Sequence, residues 1–400
     1  MPRLNQFRHQ SYPTVPQIPP TRHVLQADPG NVDFGHLHTR HAVRQVVLVH
    51  GTFTGDDPFA IAEILRTLAD RLPAGGRTLH GLADRIADKT KEYVDALARD
   101  VGTWSEAFQQ QFTDLVGRDP QVVRPEASWS GQNHHFARAD LAVRLLCHLE
   151  QQELVGHEQI LLWGHSHAGN GFAVLTNLLA NDRIFAEHFF ETCGPPEEEH
   201  WQKAREILRT GTSPHRLAKH VCIVTFETPV RYGWDTSGCH RIFHVVFDRG
   251  LAENSGFTTQ PLFPPHSFRD MVDASWGDWV QAFAISGTDV VPPTPTAVAR
   301  NRQLRELLES GLEPPAVSGK IRLIPGNRLR YLCARWQAGT RCHTDGHNLL
   351  VDYHPCGRTL LGRPIEASLF GHGVSTTQDW LTAHLALILR RMDLAAESAG

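Results

Sequence analysis

Residues 160–169 read ILLWGHSHAG, in which a short apolar run leads into a turn rich in small and polar side chains. The apolar run is typical of a buried strand, and the stretch that follows, 171–181, has the composition of a helix. Ser166 therefore lies on a sharp strand-to-helix turn, which exposes the hydroxyl beside a helix N-terminus. Crowding in such a turn requires small residues two positions before and after the serine, and Gly164 and Ala168 stand there. The stretch predicts a nucleophilic serine, and the alternative is a serine that only caps the helix.

The surrounding chain predicts an α/β fold. Short apolar runs alternate with longer amphipathic stretches over residues 43–393, which indicates a mainly parallel sheet flanked by helices in one domain. Residues 1–42, rich in Pro, Gln and His, are expected to form an extended, partly disordered arm, and 394–400 a loose tail. Three segments are expected to be loop or helical insertions that form a cap or lid: 184–218, 231–279 and 312–346.

Composition excludes several classes of protein. The net charge of −4 and the absence of a long basic run argue against a nucleic-acid partner, which needs clustered Lys and Arg. No apolar run approaches the roughly 18 residues of a membrane span. The start of the chain lacks the apolar core of a secretory signal, and seven scattered cysteines do not form a disulfide pattern. We therefore expect reduced thiols and a cytoplasmic location.

A second motif supports the serine turn. Residues 47–53 read VLVHGTF, an apolar strand that ends in His-Gly. With both motifs, the chain resembles the α/β-hydrolase superfamily, in particular its esterase and lipase branch, over residues 43–393. It departs from the usual Gly-x-Ser-x-Gly pattern at Ala168.

The resemblance implies an oxyanion hole built from backbone N–H groups. One donor is the N–H of Thr52, or of Phe53, after the His-Gly pair, and the other is the N–H of His167, directly after the serine. His50 and Gly51 are expected to shape this loop, and His50 is not expected to carry a proton.

The resemblance also implies an acid and then a histidine, in that order after the serine. The apolar run 279–285 is interpreted as a strand, and Asp289 in the Gly- and Pro-containing turn beyond it is the expected acid. Glu227, at the end of the preceding predicted strand, is the alternate. Asp248 and Asp352 are weaker candidates.

The expected base is His372 in FGHGV, residues 370–374, because flanking glycines allow a loop to present an imidazole before the last helix. His354 and His347 are the alternates. The Cys- and His-containing stretch 342–356 lacks the ligand spacings of a closed zinc site, so no metal and no cofactor are expected.

The sequence thus predicts a serine hydrolase that cleaves small-molecule carboxylic esters through Ser166, His372 and Asp289. Thioester hydrolysis or acyl transfer by the same three residues remains open, because a fold does not determine the reaction. A non-catalytic binding protein that retains the serine turn is the alternative from a different class, and a metal-dependent hydrolase using 342–356 is a further one.

Overall fold

A computed structural model of the chain describes residues 16–52, 104–124, 129–193, 198–249, 274, 276–285, 292, 295–309, 341–354 and 370–397. Asp289, Phe53, most of the expected insertion 312–346 and the last two residues of the stretch 342–356 lie outside the described residues.

One sheet organises the described residues, and all its strand pairings are parallel. Its strands in chain order are β1 (Thr21–Leu25), β2 (Val43–Val49), β3 (Gln121–Val123), β4 (Gln159–His165), β5 (Val221–Phe226), β6 (Arg241–Phe247) and β7 (His347–Tyr353). Across the sheet the order is β1-β7-β6-β5-β4-β2-β3. The predicted α/β class is confirmed. Because parallel strands end at one edge, the loops after β2, β4, β5, β6 and β7 can meet there.

Helices lie between the strands. Those described are α1 (His36–Thr39), α2 (Glu106–Val116), α3 (His135–Glu150), α4 (His167–Ala180), α5 (Arg183–Cys193), α6 (Glu199–Thr210), α7 (Trp279–Ile285), α8 (Pro295–Leu308) and α9 (Leu381–Glu397). None of these helices is both long enough and apolar enough to cross a membrane.

The sheet is covered on both faces, because alternate side chains of β4 enter two separate hydrophobic clusters. Leu162 packs in one cluster with residues of α3 and α4, including Phe172. Trp163 packs in the other with residues of α2 and α9, including Phe112 and Ile388. All five side chains are inaccessible to solvent, and burying each contributes about 1.5–3 kcal/mol. A strand buried on both faces explains why the sequence of β4 is apolar at consecutive positions.

The segment 231–279 is not a continuous insertion, because it contains a central strand. β6 pairs with β5 and β7, with Phe243 opposite Val224 and Val245 opposite Leu349. Phe243 and Phe247, which the sequence analysis placed in an insertion, belong to the core. Arg and His interrupt the apolar pattern of RIFHVVF, so this strand is less evident from sequence than β4.

The segment 184–218 is mostly helical and packs on the body of the fold. It contains most of α5 and all of α6, and the apolar face of α6 is buried against the cluster that includes α3. Trp201, Ala204 and Leu208 form that face. The described part of this segment therefore serves as a structural layer of the fold.

Residues 279–285 form a helix, α7, where the sequence analysis expected a strand. The side chain of Asp278 accepts a hydrogen bond from the Gln281 N–H at 2.9 Å, the usual arrangement at a helix N-terminus. This cap favours a helix over a strand in a short apolar run.

Within the described residues, the segments expected as an arm and a tail contain regular structure. Within the arm 1–42, β1 forms the edge strand of the sheet and pairs with β7. Within the tail 394–400, α9 continues to Glu397. Backbone hydrogen bonding, which composition does not reveal, accounts for the regular structure of residues 21–25 and 394–397.

Candidate active site

Ser166 occupies a strained turn between β4 and α4. Its φ is 54° and its ψ is −132°, a combination that L-residues rarely adopt and that costs on the order of 1–3 kcal/mol. The backbone is held by its neighbours, since the Ser166 N–H donates to Phe226 O at 2.8 Å and Thr228 Oγ1 donates to Ser166 O at 2.8 Å. The strain is therefore maintained by β5 and the residues that follow it.

Steric crowding around Ser166 allows only small residues in the turn. A Cβ atom on Gly164 would lie 2.3 Å from Phe172 Cε2, and one on Gly169 would lie 2.0 Å from Thr228 Oγ1. Ala168 is fully buried. The close approach of α4 and Thr228 to the turn leaves no room for larger side chains.

The loop after β2 lies against the serine. A Cβ atom on Gly51 would be 2.8 Å from His165 Nδ1 and 3.0 Å from Ser166 Cβ, so a side chain at this position would force the neighbouring atoms to shift. His50 Nδ1 donates to Gly51 O at 2.8 Å, and Trp129 Nε1 donates to His50 O at 3.3 Å. The His50 ring is thus engaged within the loop. Thr52 follows, and its buried Oγ1 has no hydrogen-bond partner among the described residues.

His167 is the first residue of α4, so its backbone N–H belongs to the helix end whose donors lack carbonyls one turn earlier. Its side chain points into a buried polar cluster, with Asn170 Nδ2 3.1 Å from Nδ1 and Arg138 Nη2 3.4 Å from Nε2. The imidazole of His167 therefore has a structural role within the described residues.

His372 is paired with Asp278. The His372 Nδ1 atom lies 2.6 Å from Asp278 Oδ2, and the Asp278 side chain is inaccessible to solvent. The other carboxylate oxygen, Oδ1, accepts from the Gln281 N–H. Both oxygens of Asp278 are thus fixed, and the pair has the geometry of a histidine base with its orienting carboxylate.

The backbones that carry this pair touch each other. A Cβ atom on Gly371 would lie 2.7 Å from Gly277 O, and Gly371 and Gly277 both have positive φ, 89° and 96°. These glycines allow the loop after β7 and the segment before α7 to meet closely enough for the hydrogen bond between His372 and Asp278.

Arg341 fixes the segment that leads to Asp278. Its guanidinium donates through Nη1 to Trp276 O at 2.8 Å and through Nη2 to Phe247 O, and it lies 3.3 Å from Asp248 Oδ1. Asp248, a weaker acid candidate from the sequence, also pairs with Arg22 of β1 at 2.5 Å. Asp248 therefore belongs to an ion-pair network beyond the end of β6, where its carboxylate pairs with two arginines.

His165 connects the His372 loop to the serine turn. Its Nε2 donates to His372 O at 2.8 Å, and the two imidazole rings are 4.5 Å apart between centroids. Among the described residues, Ser166 Oγ forms no hydrogen bond, and the contact between the serine turn and the His372 loop runs through His165. Ser166 is 5% exposed and the His372 side chain 10% exposed, so the site is nearly closed.

The alternates from the sequence lie in different surroundings. Glu227 follows β5 and is fully buried, where Ser375 Oγ donates to its Oε2. Burial, followed by the nearby charge of Asp278, raises the pKa of Glu227 well above its usual 4.5. His354 is exposed at the outer side of the sheet, where its N–H donates to Leu25 O of β1. His347 is the first residue of β7. It therefore lies at the opposite edge of the sheet from the serine turn, which follows the last residue of β4.

Metal-type ligands do not converge at 342–356 within the described residues. His343 uses both ring nitrogens, since Nδ1 accepts from Trp234 Nε1 and Nε2 donates to Thr228 O. The described residues contain one group with converging ligand atoms, on α3 and at the start of α6: Asp140, Glu198 and His200. Asp140 already accepts from His200, Trp201 and Arg144, and these contacts account for the cluster as a hydrogen-bonded group.

Comparisons of the chain with protein-family models, with curated proteins and with solved structures give no match. The function must therefore be inferred from the described residues themselves.

Proposed function

We propose that the protein is a serine hydrolase of the α/β-hydrolase type that cleaves carboxylic esters. In this proposal Ser166 is the nucleophile, His372 the base and Asp278 the carboxylate that orients the base. The observation that carries the proposal is the buried His372–Asp278 pair, whose loop is hydrogen-bonded to His165, the residue directly before a strained serine at a strand-to-helix turn.

The arrangement of the sheet supports this assignment. The proposed residues follow β4, β6 and β7 and occur along the chain in the order Ser166, Asp278, His372, which is the order of an α/β-hydrolase triad. The loop after β2 contacts Ser166 through Gly51, in the position from which such enzymes provide an oxyanion donor.

Each group then has a defined chemical task. His372 Nε2 accepts the Ser166 hydroxyl proton as Oγ attacks the ester carbonyl, and the backbone N–H groups of His167 and Thr52 stabilise the oxyanion. When the tetrahedral intermediate collapses, the C–O bond breaks and the imidazolium donates its proton to the departing alcohol. Water, deprotonated by the same imidazole, then hydrolyses the acyl-enzyme and restores Ser166.

Asp278 is a better candidate for the acid than Asp289, the residue expected from sequence. An imidazole Nδ1 carries one hydrogen, and the hydrogen bond to Asp278 Oδ2 already uses it. Asp289 lies outside the described residues, and comparing Asp278→Asn with Asp289→Asn tests the assignment.

Ser166 Oγ and His372 are not hydrogen-bonded among the described residues, and the proposed mechanism does not require that bond before substrate binds. Catalytic hydrogen bonds are often long or poorly aligned in free enzymes and shorten when substrate binds.

Ester hydrolysis by purified protein tests the proposal. We expect turnover of p-nitrophenyl esters that falls by about 10³-fold or more in Ser166→Ala and in His372→Ala, since loss of any triad member removes most of the catalysis. Chelators should leave the rate unchanged. A folded wild type without activity towards esters or thioesters of any acyl length would favour the non-catalytic binding protein instead.

A further inference from the structure

Glu227 is a buried carboxyl group that the proposed reaction does not use. It follows β5, the strand next to β4, and its backbone has a positive φ of 48°. The Glu227 N–H donates to Val245 O at 3.0 Å, which holds the backbone against β6. The side chain is fully inaccessible to solvent, and burying a carboxyl group costs free energy, most of all when the group is ionised.

The side chain of Glu227 joins β5 to the turn that carries the base. Ser375 Oγ donates to Glu227 Oε2, and Ser375 lies three residues after His372 in a short 3-10 segment, Val374–Thr376. Ser375 is fully buried as well. The second oxygen, Glu227 Oε1, has no hydrogen-bond partner among the described residues. An ionised carboxylate would leave negative charge on this oxygen uncompensated, whereas in the neutral acid the unpaired oxygen carries no net charge and costs less to bury.

The charges around Glu227 also favour the neutral form. Asp278 contributes a negative charge that raises the pKa of Glu227 further than burial alone, while Arg341 and the Ser375 hydrogen bond oppose the shift without overcoming it. His165 Nε2 is 4.0 Å from Oε2, but it donates to His372 O. The largest effect of a neighbouring charge on Glu227 thus comes from another acid, Asp278, and a like charge disfavours ionisation of a buried carboxyl group.

We propose that Glu227 is a positioning residue: as a neutral carboxylic acid it holds Ser375, and with it the His372 turn, and leaves Asp278 as the one negative charge beside the imidazole. The positioning role rests on the proposed hydrolase function. The protonation state does not, and it can be measured without any substrate.

Thermodynamic linkage tests the protonation state. Above pH 4.5 the unfolded chain releases the Glu227 proton and the folded chain retains it, so rising pH favours unfolding of the wild type. Glu227→Gln removes this titration but keeps the size of the side chain. We expect the ratio of the unfolding constants, wild type over Glu227→Gln, to rise about tenfold per pH unit between about pH 5.5 and 7. A ratio that stays constant over this range would show an ionised Glu227 and overturn the proposal.

Infrared difference spectra give a second measurement that does not require reversible unfolding. At neutral pH the wild type should show a carbonyl band of a buried protonated carboxylic acid that is missing in Glu227→Gln. Absence of that band in the folded wild type also overturns the proposal.

Ester kinetics test the positioning role. Ser375→Ala and Glu227→Ala should each lower kcat about tenfold, the equivalent of one lost hydrogen bond, with little change in KM. Glu227→Gln should recover most of the loss seen in Glu227→Ala, and the acid limb of its pH–rate profile should match that of the wild type. A shifted acid limb, or Gln no better than Ala, would exclude a neutral positioning acid. Two results together would separate the proposals: Ser166→Ala keeps its activity, and the ratio of unfolding constants still rises with pH. In that case the proposed hydrolase function is wrong, whereas the assignment of a protonated Glu227 stands.

Discussion

Replacing Asp278 by Asn tests the acid assignment, because both oxygens of this carboxylate have a donor. Oδ2 lies 2.6 Å from His372 Nδ1, and Oδ1 accepts from the Gln281 N–H at 2.9 Å. An asparagine amide has one oxygen and one NH2 group, so it satisfies one of these donors and points its own donors at the other. His372 can avoid the clash by moving its proton to Nε2, which removes the lone pair that accepts the serine proton.

We therefore expect Asp278→Asn to fold and to lose about 10³–10⁴-fold in kcat, which corresponds to about 4–5.5 kcal/mol of transition-state stabilisation. The assay is steady-state hydrolysis of the best p-nitrophenyl ester at neutral pH, with circular dichroism and thermal unfolding as checks of folding. KM should change little, because the carboxylate does not contact substrate.

Asp289→Asn is the matched control, since it makes the same chemical change at the acid expected from sequence. We expect it to retain at least about a tenth of the wild-type kcat. Near wild-type activity in Asp278→Asn, together with a loss of about 10³-fold in Asp289→Asn, would refute the assignment of Asp278.

Two further predictions concern stability. Gly164→Ala should lower the free energy of unfolding by about 1–3 kcal/mol, because the added methyl group meets Phe172 Cε2 at 2.3 Å in a fully packed region; unchanged denaturant unfolding would contradict the described packing. Burial lowers the pKa of His384 from 6.5 to about 3, so the unfolded chain takes up a proton that the folded chain rejects, and this contribution to stability is lost as pH falls below 6.5. In His384→Gln the glutamine can still accept a hydrogen bond from Tyr353 Oη, and its free energy of unfolding should fall by about 1.4 kcal/mol less per pH unit than that of the wild type between about pH 6 and 4. Parallel curves of the free energy of unfolding against pH would contradict a neutral His384.

The serine turn could be predicted from sequence because its determinants are local. β4 is buried on both faces, which gives four consecutive large apolar residues, and the crowding by Phe172 and Thr228 leaves only small residues near Ser166. The α/β class followed from the same alternation of apolar runs and amphipathic stretches.

The partner of His372 was missed because the sequence WVQAFAI is ambiguous. Seven residues rich in apolar and aromatic side chains fit a buried strand as well as a short helix. The signal that decides is Asp278, a capping residue directly before the run, whose side chain accepts from the Gln281 N–H. Read as a helix start, this stretch would have drawn attention to Asp278.

The role of Glu227 depends on contacts that sequence does not contain. Ser375 lies 148 positions away, and their hydrogen bond arises from the meeting of β5 with the loop after β7. The same applies to Arg341, which reaches Phe247 O from a distant part of the chain. Local patterns identify elements and strained turns, whereas the pairing of polar groups between loops requires the folded structure.

Mapping the site of covalent modification by a fluorophosphonate tests the central claim most directly. Such a probe reacts with a serine hydroxyl only where a base and an oxyanion hole activate it. We predict a single adduct per chain, located by peptide mass spectrometry on Ser166, and no adduct on folded Ser166→Ala. Folded wild-type protein that stays unmodified, or that carries the adduct on another residue, would contradict an activated Ser166.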